Sequence, residues 1–315
     1  MTFFSVVIPV KDRSNLLRRA LISLQKQTHK NFEVIVIDDG SAENISKAVS
    51  DFTDLKITLI KQAKDKSGAA AARNLGCAHS QGSYIAFLDS DDIFLPNKLK
   101  RVSEEIGETR SELLASYLLV YRGSDRLQLR PTRPLSPQEG VDEFYFVADQ
   151  RIQSSSIIVS KRVANATPWN EKLRKVQDPD FFIRAAKLAE TVKFISEPLA
   201  ILFDDELDGR ISSNPVEGNM KEWLASDACP LGERARKGFM HYALSYEVAK
   251  RSKIEAFKLA ISNADAVSKK TLLKTIYRLS VSEKIFKKTA KLLSGPQKNE
   301  YRQAHSFIVS ITSEV

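Results

Sequence analysis

The chain has 315 residues, 43% of them apolar, and a formal net charge of +9. This length and apolar content predict a folded globular protein with a full core, built as one large or two modest domains. Its two cysteines, Cys77 and Cys229, lie far apart and outside any CxxC pair or Cys/His cluster. We therefore expect neither a disulfide framework nor a zinc site.

The positive charge is concentrated in the last third of the chain. Residues 233–315 contain 17 Lys and Arg against 7 Asp and Glu, whereas residues 1–232 contain 31 against 32. Since the candidate chemistry lies in the neutral part, the charge does not indicate a nucleic-acid-binding protein, and no nucleic acid partner is expected. The N-terminus lacks the pattern of a signal peptide and no apolar window approaches eighteen residues, so we expect a cytoplasmic protein.

The first hundred residues alternate short β-rich runs with helical patterns, which indicates a parallel α/β sheet. The predicted strands are residues 3–10, 32–37, 56–60 and 84–88. Amphipathic helices are predicted between them, the first capped by Ser14, the second from Ile45 to Phe52, and the third ending with Gly82 as its cap.

Beyond about residue 110 the pattern becomes less regular. Strands are predicted at 113–121 and 153–160, a loop at 130–137, a helix at 178–189 and an exit from the α/β part at 212–215. From about residue 233 onward the pattern is helical.

Three polar clusters follow predicted strands: PVKDR at 9–13, DDGS at 38–41 and DSDD at 89–92. Ligands of open α/β sheets bind outside the carboxyl ends of the strands, so these clusters are expected to share one site. DDGS alone is also typical of a plain turn. Three carboxylates in DSDD repel one another unless a cation is present, which favours Mg²⁺ or Mn²⁺. The alternative is a solvated helix N-terminus.

The segments SVVIPVKDRSNLLRRALISLQKQTHKNFEVIVIDDGS and SGAAAARNLGCAHSQGSYIAFLDSDDIFLPNKL resemble the family-two glycosyltransferases with the GT-A fold. The resemblance covers residues 4–100 nearly continuously. It implies a Rossmann-like, mostly parallel sheet flanked by helices, here with a C-terminal helical extension. It also implies a nucleoside-diphosphate sugar donor held through Mn²⁺ or Mg²⁺ by an Asp-x-Asp motif, and inversion at the anomeric carbon.

The resemblance also suggests how the chain is divided. Residues 1–100 correspond to the nucleotide-sugar-binding half and residues 101–215 to the acceptor-binding half, followed by a basic helical region at 216–315. A UDP-sugar is the favoured donor. A glycan or lipid-linked acceptor in surface polysaccharide biosynthesis is the expected partner.

Residue by residue, the resemblance assigns Asp91 to the metal and Asp89 to the ribose and the metal shell. Asp39 corresponds to the residue that meets the nucleobase. The expected donor-binding residues are Pro9, Val10, Asp12, Asp39, Arg73, Asp89 and Ser90. The family often has an aromatic residue and Asn after the first strand, where this chain has Lys11 and Asp12.

A general base is needed because a hydroxyl is a poor nucleophile until its proton is removed. The family places a Glu-Asp pair at the start of a helix, and VQDPDFFIRAAK matches it with Gln177 in place of Glu and Asp178 as the base. Asp180 is expected to contact the acceptor, with Arg184 supporting the acidic cluster. Alternatively, Asp178 caps the helix before Pro179, and both roles are compatible.

Arg210, in DDELDGRISSN, is a candidate for contacting the donor diphosphate, and the alternative is an ordinary solvated arginine. A nucleotidyltransferase is disfavoured because no glycine precedes Gly40, where a phosphate loop would lie. The replacement by Gln177 leaves a second alternative open, a catalytically silent glycosyltransferase-like binding or scaffold protein.

The C-terminal region contains a stripe of apolar residues at helical spacing with lysines interspersed. The stripe comprises Leu272, Ile276, Leu279, Phe286, Ala290 and Leu293. Such a pattern is typical of an interfacial helix and predicts peripheral association with the inner face of the cytoplasmic membrane. The alternative is that the stripe packs as core and the lysines are solvated.

Overall fold

The computed structural model describes residues 2–63, 67–123, 127–204, 216–282, 285–286, 289 and 301–314. Within these ranges nine strands form one sheet. Their order is Ile57–Lys61, Phe32–Asp38, Phe4–Val10, Tyr84–Phe87, Ile157–Ser160, Leu113–Tyr121, Val192–Phe203 and Ile93–Phe94, with Leu127–Arg130 paired to Leu113–Tyr121. The predicted α/β class is confirmed. No helix in these ranges combines the length and the apolar character needed to span a bilayer.

The first half is wholly parallel. Its elements are β1 (Phe4–Val10), α1 (Ser14–Gln25), β2 (Phe32–Asp38), α2 (Ile45–Val49), β3 (Ile57–Lys61), α3 (Ala69–His79) and β4 (Tyr84–Phe87). From β1 the chain proceeds to β2 and β3 on one side, and β4 pairs with β1 on the other. This reversal leaves a crevice at the carboxyl ends of β1 and β4, where ligands of such sheets bind.

The second half is mixed and not mostly parallel. Its elements are β5 (Ile93–Phe94), α4 (Lys98–Thr109), β6 (Leu113–Tyr121), β7 (Leu127–Arg130), α5 (Val141–Phe146), a 3₁₀ turn (Ser154–Ser156), β8 (Ile157–Ser160), α6 (Lys161–Ala166), α7 (Gln177–Leu188) and β9 (Val192–Phe203). β8 is antiparallel to both β4 and β6, and β9 is parallel to β6. The antiparallel β8 brings the turn before it to the carboxyl end of β4.

The core lies on both faces of the sheet. Alternate residues of β1 point to opposite faces, so Val6 and Ile8 join one apolar cluster and Val7 joins the other. Every residue of β1 and β2 is buried, as expected for parallel strands covered by helices on both sides.

The C-terminal region is helical, as predicted. It comprises α8 (Glu217–Ala225), α9 (Glu233–Phe239), a π-helical turn (Met240–Leu244), α10 (Ser245–Ala249), α11 (Lys253–Ser262), α12 (Lys269–Ser280) and α13 (Arg302–Thr312). Ile308 and Ile311 of α13 belong to the same apolar cluster as Leu21 of α1, and Lys26 pairs with Glu314 at 2.7 Å. The last helix therefore packs on the N-terminal half.

Three local predictions need correction. α1 begins at Ser14, with Arg13 at the capping position, and the Ser14 N–H donates to Glu43. α3 ends at His79, so Gly82 is not its cap. Gly82 lies against β1, where a Cβ would come within 2.5 Å of the Ser5 nitrogen. The predicted strand at 153–160 is a turn followed by a shorter strand.

Candidate active site

The carboxyl ends of β1 and β2 form one side of the crevice. Pro9 and Val10 are the buried last residues of β1, and the Val10 carbonyl accepts a hydrogen bond from the Asp39 N–H at 2.8 Å. The clusters PVKDR and DDGS are therefore neighbours, as the pattern predicts.

Asp12 and Asp39 brace the loops around this edge. Asp12 adopts a positive φ of 49°, and its carboxylate accepts from the Ala42 N–H at 2.6 Å. The Asp39 carboxylate accepts from the Gly68 N–H, with its oxygens at 2.9 and 3.0 Å from that nitrogen. Both side chains lie at the rim beside the crevice, and their contact with a nucleotide remains a prediction.

The DSDD segment follows β4 on the other side of the crevice. Asp89 and Asp91 are partly exposed, while Ser90 is buried in the turn between them. Arg13 Nη1 lies 2.9 Å from Asp91 Oδ2, and Arg19 Nη2 donates to the Asp91 carbonyl at 2.8 Å. These contacts hold Asp91 at the rim, beside the end of β1.

The third carboxylate of DSDD faces the interior. Asp92 is only 2% exposed and accepts from the Ser155 hydroxyl at 2.6 Å. Burial, and then the charges of Asp91 and Asp89, raise the pKa of Asp92 well above its usual value. The fully buried Lys98 donates to the Ser155 carbonyl at 2.7 Å. Since the Ser155 hydroxyl also accepts from the Asp89 N–H, Asp92 and Lys98 support the turn and are not open to a ligand.

Arg73 on α3 is the centre of the site. Its Nη2 lies 2.6 Å from Asp89 Oδ1 and 3.2 Å from the Ser154 hydroxyl, and its Nη1 lies 3.4 Å from Gln177 Oε1. The guanidinium also lies over the Trp169 ring at 4.6 Å. The predicted donor-supporting arginine thus joins the end of β4 to the start of α7.

Asp178 lies in the first turn of α7, and the fold brings it beside the Asp-x-Asp segment. Burial raises the pKa of Asp178 to about 6, with Asp89 adding to the increase and Arg73 and Ser154 opposing it. The Ser154 hydroxyl meanwhile donates to Asp89 Oδ2 at 2.8 Å. Val176 occupies the capping position with φ 57°, and no side-chain cap is formed. Asp178 is therefore not the helix cap, which is the alternative to the predicted catalytic role.

Asp180 is placed differently from its neighbour. It is 1% exposed, and Oδ2 accepts from Arg184 Nε at 2.9 Å, while Oδ1 accepts from Trp223 Nε1 at 2.8 Å. These bonds tie α7 to α8. Because both carboxylate oxygens are engaged inside the protein, the geometry gives Asp180 a packing role, and acceptor contact remains only a prediction. Arg184 supports Asp180 and not the acidic cluster at β4.

The sequence analysis did not identify several residues of the site. In addition, one predicted site residue lies outside the described residues. Arg210 falls in 205–215, which the structure does not describe. The missed residues are Arg13, Arg19, Lys98, Ser154, Ser155 and Trp169. A run of three serines before an apolar strand was the one local signal available, and it was interpreted as part of the strand.

The residues at the rim suit a hard divalent cation. Asp91 and Asp89 lie two residues apart in one segment and each has a partly exposed carboxylate, and oxygen is the ligand such cations prefer. In the described part of the chain no three His, Cys, Asp or Glu side chains form a group that could hold a metal. Mg²⁺ typically takes only one or two carboxylates and completes its shell with water and substrate phosphates.

The model of the family described as Glycosyl transferase family 2 matches residues 5–205. The chain belongs to glycosyl transferase family 2. It is 33% identical over 207 residues to the amylovoran biosynthesis glycosyltransferase AmsB of Erwinia amylovora, covering 62% of this chain and 68% of that protein. It is 35% identical over 121 residues to an Escherichia coli family member, the UDP-Glc:alpha-D-GlcNAc-diphosphoundecaprenol beta-1,3-glucosyltransferase WfgD, covering 38% and 47%.

Another match spans little of its relative. An uncharacterized glycosyltransferase of Rickettsia bellii is 50% identical over 96 residues, which cover 30% of this chain and 14% of that protein. This similarity thus covers less than a third of the present chain.

Solved structures show the GT-A fold. S. aureus TarS 1–349 in complex with UDP-GlcNAc has a TM-score of 0.63 at 20% identity, covering 83% of this chain and 79% of that one. The mannosyltransferase PcManGT from Pyrobaculum calidifontis, in complex with GDP-Man and Mn²⁺, has a TM-score of 0.57 at 14% identity, covering 93% and 85%. The family-two chain thus has the fold that the resemblance implied.

Proposed function

We propose that this glycosyltransferase is inverting and metal-dependent. It transfers a sugar from a nucleoside-diphosphate sugar, with a UDP-sugar favoured, to a hydroxyl of a glycan or lipid-linked acceptor in surface polysaccharide biosynthesis. The observation that carries the proposal is the convergence of Asp178 and Asp89 on Ser154 and Arg73. Similarity to AmsB, an amylovoran biosynthesis glycosyltransferase, supports the polysaccharide assignment, and similarity to WfgD, which uses UDP-Glc, supports the UDP-sugar assignment.

Asp178 supplies the base in this mechanism. A pKa of about 6 leaves it mainly ionised at neutral pH and makes it a stronger base than an ordinary aspartate. The acceptor oxygen attacks the anomeric carbon as its proton passes to the Asp178 carboxylate. The bond from that carbon to the nucleoside diphosphate breaks on the opposite face, so the configuration inverts.

Asp91, with Asp89 beside it, is proposed to hold Mn²⁺ or Mg²⁺. When bound, the cation neutralises charge that develops on the departing diphosphate. Arg73 keeps Asp89 oriented at the crevice, and Arg13 and Arg19 keep Asp91 at the rim.

The catalytically silent alternative rests on Gln177. Its carbonyl oxygen faces Arg73 at 3.4 Å, and its amide nitrogen donates to the Leu173 carbonyl at 2.5 Å. The amide thus has a local structural role, and Asp178 retains its place beside Arg73. An assay of donor hydrolysis with and without Mn²⁺ distinguishes the two alternatives, because an enzyme is expected to hydrolyse the donor and a silent binding protein is not.

A thermal-shift screen of nucleoside diphosphates tests the donor assignment. With Mn²⁺, UDP is expected to raise the unfolding temperature more than GDP, ADP or CDP at equal concentration, because a ligand that binds only the native state stabilises it. The shift is expected to shrink when EDTA removes the metal. A larger rise in unfolding temperature with GDP would contradict the UDP assignment. A rise with UDP that EDTA does not change would contradict metal-dependent binding.

We also propose that the basic C-terminal helices attract an anionic membrane on its cytoplasmic side. In α12, Thr271, Thr275 and Leu279 face inward, so Leu279 of the predicted stripe is core. Leu272 and Ile276 are partly buried, and Ala290 and Leu293 lie outside the described residues. The outward face instead presents Leu273, 66% exposed, beside Lys269 and Lys270.

Charge reversal tests this attraction without disturbing the core. The variant Lys269→Glu/Lys270→Glu is expected to bind anionic vesicles at least about tenfold more weakly at low salt, since each basic residue near the surface contributes on the order of 1 kcal/mol. Lys47→Glu/Lys100→Glu, on exposed positions of α2 and α4, is the matched control. Equal binding to anionic and neutral vesicles, or an equal loss of vesicle binding in the control variant, would contradict the proposal. A truncation is unsuitable because α13 packs on α1.

A further inference from the structure

A cluster of arginines lies close to the candidate active site, beside the segment that contains Gln153 and Ser154. This arginine cluster consists of Arg122 after β6, Arg130 at the end of β7 and Arg151. Arg130 Nη1 donates to Gln153 Oε1 at 3.3 Å. Gln153 directly precedes Ser154, which contacts Asp89 and Asp178. The Arg130 guanidinium is therefore connected, through Gln153, to Ser154, the residue that lies between Asp178 and Asp89.

The charges in the arginine cluster are unevenly compensated. Arg122 pairs with Asp204 at 2.8 Å, and Arg151 lies 4.0 Å from Asp149. Among the residues that the structure describes, Arg130 has no carboxylate within ion-pair distance. Burial, and then the charges of Arg151 and Arg122, lower its pKa to about 10, with the charge of Asp204 opposing the decrease. Arg130 therefore stays charged at neutral pH. A partly buried cation beside two others is costly unless an anion joins it.

We propose that Arg130, with Arg122 and Arg151 beside it, binds a phosphate group carried by the acceptor. The proposed function assigns the donor diphosphate to Asp89 and Asp91 on the β1–β4 side. A second cationic site, linked to Asp178 through Gln153 and Ser154, is therefore assigned to the other substrate. A sugar linked through phosphate to a carrier has free hydroxyls that can attack the donor and a phosphate on its anomeric carbon. Arginine suits that group, since its planar fork of donors matches phosphate oxygens.

Further basic side chains connect the arginine cluster to the C-terminal helices. The Arg151 guanidinium hydrogen bonds to the Tyr242 hydroxyl, and Lys274 of α12 pairs with Asp149. Basic side chains thus continue from the arginine cluster to α12. This arrangement suits an acceptor whose phosphate is attached to a lipid carrier. The nature of the acceptor rests on the proposed function, whereas binding of phosphate by Arg130 can be measured separately.

The first test uses inorganic phosphate as the probe. Full-length protein saturated with UDP and Mn²⁺ is titrated with phosphate by calorimetry. Arg130→Gln is expected to weaken phosphate binding about 10–100-fold, the range for loss of charge-assisted hydrogen bonds, and Arg130→Lys less. Arg110→Gln is the matched control, because Arg110 is exposed between α4 and the start of β6, at the other end of that strand from Arg122. Unchanged phosphate affinity in Arg130→Gln, or weaker UDP binding, would overturn the inference.

The second test separates this inference from the proposed function. With a sugar-diphosphate-lipid acceptor, Arg130→Gln is expected to raise the acceptor KM about 10–100-fold while the donor KM is unchanged. With an alkyl glycoside that lacks phosphate, variant and wild type are expected to transfer equally. Equal losses on both acceptors would contradict the phosphate role. If phosphate binding depends on Arg130 but no sugar is transferred, the proposed function is wrong and the phosphate site at Arg130 is still supported.

Discussion

Asp178→Asn is expected to lower turnover by about 10²–10⁴-fold, the usual contribution of a general base, and to leave donor affinity unchanged. Asparagine preserves the size of the side chain but cannot take the acceptor proton. The measurements are steady-state turnover at saturating acceptor and UDP affinity by calorimetry. In the wild type, kcat/KM is expected to fall as the pH drops through about 6, because protonation of Asp178 removes the base.

Asp180→Asn is the matched control, since it makes the same change two residues along the same helix. It removes the carboxylate that holds Arg184 and Trp223, so we expect a loss of about 1–3 kcal/mol in unfolding free energy. Turnover per folded molecule is expected to stay within a few-fold of the wild type. A similar loss of turnover in both variants, or a loss of UDP affinity in Asp178→Asn, would show that Asp178 is structural.

Asp91→Ala is expected to weaken metal-dependent donor binding by at least about 100-fold, the upper range seen when even an outer partner of a metal ligand is removed. The side chain is 22% exposed at the rim, so the fold is expected to remain intact. Titration of UDP with and without Mn²⁺, together with far-UV circular dichroism, measures both effects.

The ion pair between Arg13 and Asp91 supplies the control. If Asp91 served only to hold Arg13, Arg13→Gln would cause the same loss of donor binding. We expect Arg13→Gln to reduce binding by less than about tenfold, as a partly exposed pair contributes little. Equal losses in the two variants, or wild-type Mn²⁺ dependence in Asp91→Ala, would refute the metal assignment.

The first half of the fold was predictable because its signals are local. Buried parallel strands give apolar runs, and polar clusters follow β1, β2 and β4 at one sheet edge. The resemblance then placed Arg73 and Asp178, and the structure brings both to Asp89.

The remaining features depend on partners distant in sequence. Asp178 and Asp180 share one DPD motif, and contacts with distant residues distinguish them: Asp180 accepts from Trp223, 43 positions later, whereas Asp178 lies beside Ser154. Ser154 reaches Asp89 because β8 pairs antiparallel with β4, a pairing that no local pattern specifies. Likewise, the apolar face of α13 gave no indication that it packs on α1.

The anomeric configuration of the product tests the central claim most directly. A sugar donor that carries the nucleotide selected by the thermal-shift screen is incubated with acceptor and Mn²⁺. Proton NMR records the coupling at the new glycosidic bond from the earliest time points. An α-linked donor is expected to give a β-linked product, because a single displacement assisted by Asp178 inverts the centre. An α-linked product at the first time points would contradict the account.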